Sequence, residues 1–273
     1  MPASEQISTF DSLFGDSRFS AVFQFYAAIT KLRILRPFLS ILPYQLRPVP
    51  AGVLDLVRKI IKIVRVSHES NTLLVSLLHC LYEAQDPSLC QFVSEQLEGE
   101  LHLSYTFLTP VESLAVGYFL SFVSLTTSNV KEFTVDLGSC SLGDAGTKSL
   151  MQSICRSVDP HNPTNTNLRI TLYSNETHEE GASHIAEMLI RTNIVSALLL
   201  SINPIGDKGL QAIFYALKQN YILKHLNLAD CEMADIGVAS LADALHANNT
   251  LERLDTYGND ALTENGMTCL VEA

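Results

Sequence analysis

The chain repeats itself with a 28-residue period. Val195 to Asn220 reads VSALLLSINPIGDKGLQAIFYALKQN, Leu223 to Asn248 reads LKHLNLADCEMADIGVASLADALHAN, and Leu251 opens LERLDTYGNDALTENGMTCL. The shared skeleton is Leu-x-x-Leu-x-Leu-x-x-(Asn or Cys), then a loop, a Gly and a helical segment. Leu223, Leu226, Leu228 and Cys231 fit it best. Val195, Leu198, Leu200 and Asn203 precede them by one period, and Leu251, Leu254, Thr256 and Asn259 come one period later, with Thr256 a departure. A period of this length is the mark of a solenoid.

Side chains alternate across a strand, so each Leu-x-Leu pair faces one way and its neighbours face the other. The Asn or Cys falls where the strand turns off, placed to bond loop backbone. In the second segment Leu210, Ile213, Ala216 and Leu217 recur at helical spacing. Gly209 and Gly237 are read as the tight turns that begin these helices. One strand–helix unit cannot bury both apolar faces alone, whereas stacked units share a continuous core.

Weaker copies lie upstream. Ile170, Leu172 and Asn175 precede Gly181; Val135, Leu137 and Cys140 precede Gly146; Leu101, Leu103 and Thr106 precede a helix over 110–123. The 35-residue step from Cys140 to Asn175 places an insertion of about seven residues at 157–165. The expected fold is α/β: a helical domain over 1–97, then about six repeats over 98–273 forming a horseshoe with a parallel sheet on its concave face.

The N-terminal third differs in kind. From Lys31 to Arg65 there are eight basic residues and one acid, whereas from Val66 to Val130 there are seven acids and no Lys or Arg. Residues 19–36 read as a helix, and Pro37, Pro43, Pro48 and Pro50 break the segment after it into short pieces. Over 53–66, Leu56, Ile60 and Val64 form one stripe and Arg58, Lys62 and Arg65 another. Helices are also expected over 71–82 and, capped by Asp86 before Pro87, to about Leu97.

The repeats resemble leucine-rich repeats of the ribonuclease-inhibitor type. With the segments FQFYAAITKLR (23–33), LLHCLYEAQDP (77–87), LTPVESLAVGYFLSF (108–122) and SCSLGDAG (139–146), the chain resembles the join between the last helical domain and the repeats of a NACHT-type NOD-like receptor. That resemblance implies ligand sensing or autoinhibition in a cytosolic innate-immune receptor. The chain departs from the family in one large respect: GxxxxGK[ST] occurs nowhere, so nucleotide binding and hydrolysis are not carried over.

Other chemistries fit less well. The net charge of −11 argues against charge-driven nucleic-acid binding. No apolar run approaches the length of a membrane span, and the start lacks a signal-peptide pattern, so a soluble, cytoplasmic protein is expected. The six cysteines are scattered without a CxxC pair and read as reduced thiols. Sequons at Asn175 and Asn248 weigh little against that. His178 and His184 are six apart, too far for a shared helix face, and read as loop rather than metal ligands. Asn203 to Gly209 is a repeat turn rather than a phosphate loop. No cofactor, metal or catalytic constellation is expected.

The binding surface is expected on the strand face opposite the leucines. Its residues are Arg169, Thr171 and Tyr173; Ala197, Leu199 and Ser201; His225, Asn227 and Ala229; Arg253, Asp255 and Tyr257, with Thr134 and Asp136 in the row above. Arg169, Tyr173, Arg253 and Tyr257 are the preferred anchors for a protein or microbial ligand. Two alternatives are a regulator of an enzyme, GTPase-activating or inhibitor-like, and a membrane-surface adaptor working through 53–66. A solvated outer face of a domain helix is the favoured reading of that basic stretch. The last copy ends inside its helix, at Met267, Leu270 and Val271, so fraying or self-association through that end is expected.

Overall fold

The computed structural model describes residues 71–123, 131–157 and 167–261, with single positions between 55 and 62 and between 263 and 268. The chain divides into two compact units, Met1–Glu98 and Gly99–Ala273.

In the first unit, Asp55, Val57, Arg58, Ile61 and Lys62 are helical. Val57 and Ile61 form the buried stripe, while Arg58 and Lys62 are exposed. The expected stripe of Leu56, Ile60 and Val64 lies outside the described residues, as do the helix over 19–36 and the proline-broken segment. Helix α1 (Asn71–Ala84) buries seven side chains, from Leu73 to Leu81. Helix α2 (Pro87–Gln96) is capped by Asp86, whose carboxylate accepts the Ser88 N–H at 2.9 Å.

The second unit alternates strand and helix: β1 (Glu100–His102), α3 (Pro110–Val123), β2 (Glu132–Asp136), α4 (Gly143–Ser157), β3 (Asn167–Thr171), α5 (Glu179–Arg191), β4 (Val195–Leu199), α6 (Gly206–Leu217), β5 (His225–Asn227), α7 (Asp235–Ala247) and β6 (Arg253–Asp255). The six strands form one parallel sheet in sequence order. Each strand–helix unit therefore stacks only on its neighbours. The repeat leucines Leu101, Leu168, Leu198, Leu200, Leu226 and Leu228 are all fully buried between sheet and helices. The expected insertion at 157–165 lies almost wholly outside the described residues.

Two ladders of polar side chains join the repeats. The first is the expected one. Asn203 Oδ1 accepts the N–H groups of Asn175 and Thr177, at 2.9 and 3.1 Å, and its Nδ2 donates to Leu172 and Leu200 carbonyls. Asn175 serves Cys140 and Leu142 in the same way, and Asn259 serves Cys231 and Met233. These asparagines are 0–6% exposed, so their bonds replace water that cannot enter. The same burial explains the two sequons: Asn175 is a ladder residue, and Asn248 donates to Leu217 and Asn220 carbonyls beneath the helices.

The second ladder runs along the helix N-termini. Asp144 Oδ1 accepts the His178 and Gly181 N–H groups at the start of α5, at 2.8 and 2.9 Å. Asp207 does the same for Ala234 and Gly237 at the start of α7, and Asp235 accepts the Thr263 N–H. Each aspartate sits in the first turn of its own helix and caps the next helix along.

This ladder corrects the reading of Gly209 and Gly237. Both lie inside the first helical turn rather than at its entry. A Cβ on Gly237 would stand 2.5 Å from Asp207 Oδ1, and one on Gly209 would meet Ala182 and Glu179 at 3.0 and 3.2 Å. Their missing side chains admit the neighbouring helix; the left-handed residue at the entry of α6 is Gly206, with φ +68°.

Candidate functional site

The sheet aligns the expected surface residues in rows. Thr134, Arg169, Ala197, His225 and Arg253 share one register row, and Asp136, Thr171, Leu199, Asn227 and Asp255 the next. Gly138, Tyr173, Ser201, Ala229 and Tyr257 continue just past the strand ends, as backbone bonds between adjacent loops show. Ala197 and Ala229 belong to these rows but are at most 1% exposed, too short to rise above their neighbours.

The first two of these rows, with Glu132 one row earlier on β2, carry a connected polar network. His225 Nε2 lies 3.0 Å from Asp255 Oδ2, and Arg253 Nε donates to the same oxygen at 3.0 Å. Arg169 Nη1 approaches His225 Nδ1 at 3.4 Å, and Arg169 Nε donates to Glu132 Oε2 at 3.3 Å. Arg169 reaches His225 because only Ala197 stands between them on β4. Register slips at Ser196, where Leu168 pairs with Val195 and Arg169 with Ala197. That irregularity aims the Ser196 hydroxyl at Glu132, 2.6 Å away. The chain Glu132–Arg169–His225–Asp255–Arg253 thus crosses from β2 to β6.

Electrostatics reflect the geometry. The hydrogen bond from His225, aided by Arg253, holds the Asp255 carboxyl below the usual carboxylate range. The Ser196 hydroxyl, then Arg169, do the same for Glu132. A guanidinium is donor-only, so in its contact with Arg169 the Nδ1 atom of His225 is the acceptor, while Nε2 faces Asp255. Both imidazole nitrogens are therefore engaged by neighbouring side chains. The pair looks like two members of a hydrolytic triad, but the position of a third is filled by arginine.

The other expected residues lie on the same face. Thr171, Leu199 and Asn227 are half-buried in the second row, where Asn227 Oδ1 accepts the Ala229 N–H. Ser201 and Tyr173 are half-buried beyond the strands, and Tyr257 is 68% exposed. The Tyr173 ring covers Gly138, where a Cβ would overlap it, and meets the Tyr105 ring edge-on at 6.5 Å. The Tyr105 contact chiefly pushes the Tyr173 phenol above its ordinary range. Of the four anchors, Arg169 and Arg253 are already held in ion pairs, while Tyr257 stands clear.

Other candidates resolve structurally. Cys140 and Cys231 occupy the asparagine ladder, each sulfur bonded to a carbonyl of the preceding repeat, Leu103 and Leu200. Burial pushes their thiols up to about 11 and about 12. His178 and His184 pair loosely with Asp144 and Glu187, and no group of three metal-ligating side chains gathers among the described residues. No helix among the described residues is long and apolar enough to cross a membrane.

Comparison with known proteins agrees with the repeat. A family model described as "Leucine Rich repeat" matches residues 196–214 and 220–242. Ribonuclease inhibitor from Mus musculus is 36% identical over 77 residues, 28% of this chain and 17% of that protein. NACHT, LRR and PYD domains-containing protein 5 from Mus musculus is 28% identical over 151 residues, 55% of this chain and 12% of that protein. Protein 13 of the same name series, from Homo sapiens, is 30% identical over 106 residues, 38% of this chain and 10% of that protein. The matched region spans less than a fifth of each curated relative. The chain carries a leucine-rich-repeat solenoid similar to that of ribonuclease inhibitor and loosely related to NACHT-containing proteins, a module of the kind used for protein–protein interaction.

Proposed function

We propose that the chain is a non-enzymatic recognition module, a helical domain over 1–97 joined to a solenoid over 98–273, that binds a protein ligand on the concave face of its sheet. The finer reading is the regulatory, ligand-sensing part of a cytosolic NOD-like receptor. The similarity to NACHT-containing proteins, which reaches across 55% of this chain, supports it.

The observation that carries the non-enzymatic reading is the arginine at His225 Nδ1. A preorganised polar network that runs from Glu132 on β2 to Arg253 on β6 gives orientation and charge complementarity to a partner, while both ring nitrogens of its one His–Asp pair are already engaged. An inhibitor-like regulator of an enzyme is the second reading, favoured by the 36% identity to a ribonuclease inhibitor over 77 residues.

A photo-crosslinking amino acid at Asn227, on the concave face, is compared with one at Ala239, exposed on α7. A single polypeptide captured at position 227, absent at 239 and lost when Arg253→Glu is added, is the expected result. Equal capture from both positions would remove the concave face from the account.

A further inference from the structure

We infer that the rim formed by the strand-to-helix loops is a docking surface for a cationic, extended protein segment, with Tyr105, Phe107 and Ile202 as its apolar anchors. The inference rests on the recognition-module reading and names a second surface and the chemistry of what it takes.

Three independent observations meet there. The first is backbone strain. Tyr105, Ser139, Ser174, Ile202, Asp230 and Gly258 are equivalent by their inter-loop bonds, and all have φ between 52° and 73°. Small or polar residues accept that left-handed conformation, whereas a β-branched or bulky side chain is out of place in it. Ile202 and Tyr105 are nonetheless 56% and 78% exposed, so burial does not compensate the strain. Phe107, two residues on, is 70% exposed.

The second is the asparagine ladder. The loops after β2, β3 and β5 each give two N–H groups to the carboxamide of the following repeat. The loops after β1 and β4 instead face the thiols of Cys140 and Cys231, through Thr106 and Asn203. Sulfur is a weak acceptor, and these two loops close partly on themselves, Thr106 N–H to Leu103 and Ile205 N–H to Asn203. The two loops that face a thiol in place of a carboxamide are the two that carry the strained apolar residues.

The third is charge. Among the described residues of the six strand-to-helix loops there is no Lys or Arg. Glu176, Asp230 and Glu232 are exposed in the loops on either side of Ile202. None of these three takes part in an ion pair among the described residues. An apolar anchor flanked by unpaired carboxylates complements a segment in which apolar residues alternate with Lys or Arg. Tyr105 and Ile202 are three strand spacings apart, about 14 Å, which an extended segment bridges with side chains roughly four residues apart.

The test titrates the full chain with the peptide Lys-Phe-Lys-Gly-Lys-Leu-Lys and with its Glu-for-Lys counterpart. The cationic peptide is expected to bind with salt-sensitive affinity and the anionic one not to bind. Ile202→Asn and Glu232→Lys should each weaken binding roughly tenfold. Because Asn suits the left-handed region, Ile202→Asn should also raise Tm by about 2–4 °C. Equal binding of both peptides, binding untouched by either substitution, or a lower Tm for Ile202→Asn would overturn the inference. Binding lost only in Arg253→Glu would overturn it while leaving the concave-face reading in place.

Discussion

Asn203 Oδ1 accepts the backbone N–H of Asn175 at 2.9 Å, so a side chain of one repeat holds the turn of the repeat before it. The reach is one period, and it makes neighbouring turns depend on each other. Removing the Asn203 carboxamide strands two buried donors and the Leu172 carbonyl, and leaves the Leu200 carbonyl only the Cys231 sulfur. Asn203→Ala should therefore destabilise the chain by about 2–4 kcal/mol, and Cys231→Ala by about 1 kcal/mol, since its sulfur makes only weak bonds. Chemical denaturation of the two variants checks the order.

The aspartate ladder predicts a cap effect that crosses repeats. Asp207→Ala removes the acceptor for Ala234 and Gly237 in α7, at about 0.5–2 kcal/mol. Amide exchange should accelerate in the first turn of α7 and not in α6, where Asp207 itself sits. Acceleration in α6 alone would mean that the aspartate serves only its own helix.

Gly237→Ala reverses a familiar sign. In an exposed helix the change favours folding by about 0.5–1 kcal/mol. Here the new Cβ would stand 2.5 Å from the Asp207 oxygen that caps the helix and 2.8 Å from Met233 Cγ. The variant should melt below the parent.

The concave network predicts an acid-side dependence. Asp255 and Glu132 have carboxyls held below their ordinary range in the folded chain. Their stabilisation is complete above the unfolded values near 4 and is lost as pH falls through the folded ones. Asp255→Asn should cost less than about 1 kcal/mol at neutral pH, and the gap to the parent should close below about pH 4. Thermal melts across that range report it.

The fold is legible in the sequence because burial acts locally. The Leu-x-Leu pattern locates the six strands among the described residues, β1 at Glu100–His102 included, and the Asn/Cys position marks the ladder without showing its partners. The role of Gly209 and Gly237 is not legible, because sequence shows a missing side chain without showing whether a turn or a neighbouring helix requires it. The aspartate ladder is written in Asp144-Ala145-Gly146, Asp207-Lys208-Gly209 and Asp235-Ile236-Gly237. A Glu, Glu179, interrupts that series and hides it. The concave rows are readable as rows, but the link from Arg169 to His225 joins residues 56 apart and depends on a small side chain at Ala197. Neither is apparent without the register.

The most direct test of protein recognition on the concave face is an affinity comparison with the partner captured at position 227. The His225→Ala, Arg253→Glu double variant should bind roughly tenfold or more weakly, with unchanged spectroscopic signatures of folding. A Lys148→Glu, Glu187→Lys variant, altered on α4 and α5, should bind within about twofold of the parent. The opposite pattern, with binding kept by the concave variant and lost by the helix-side variant, would contradict the account.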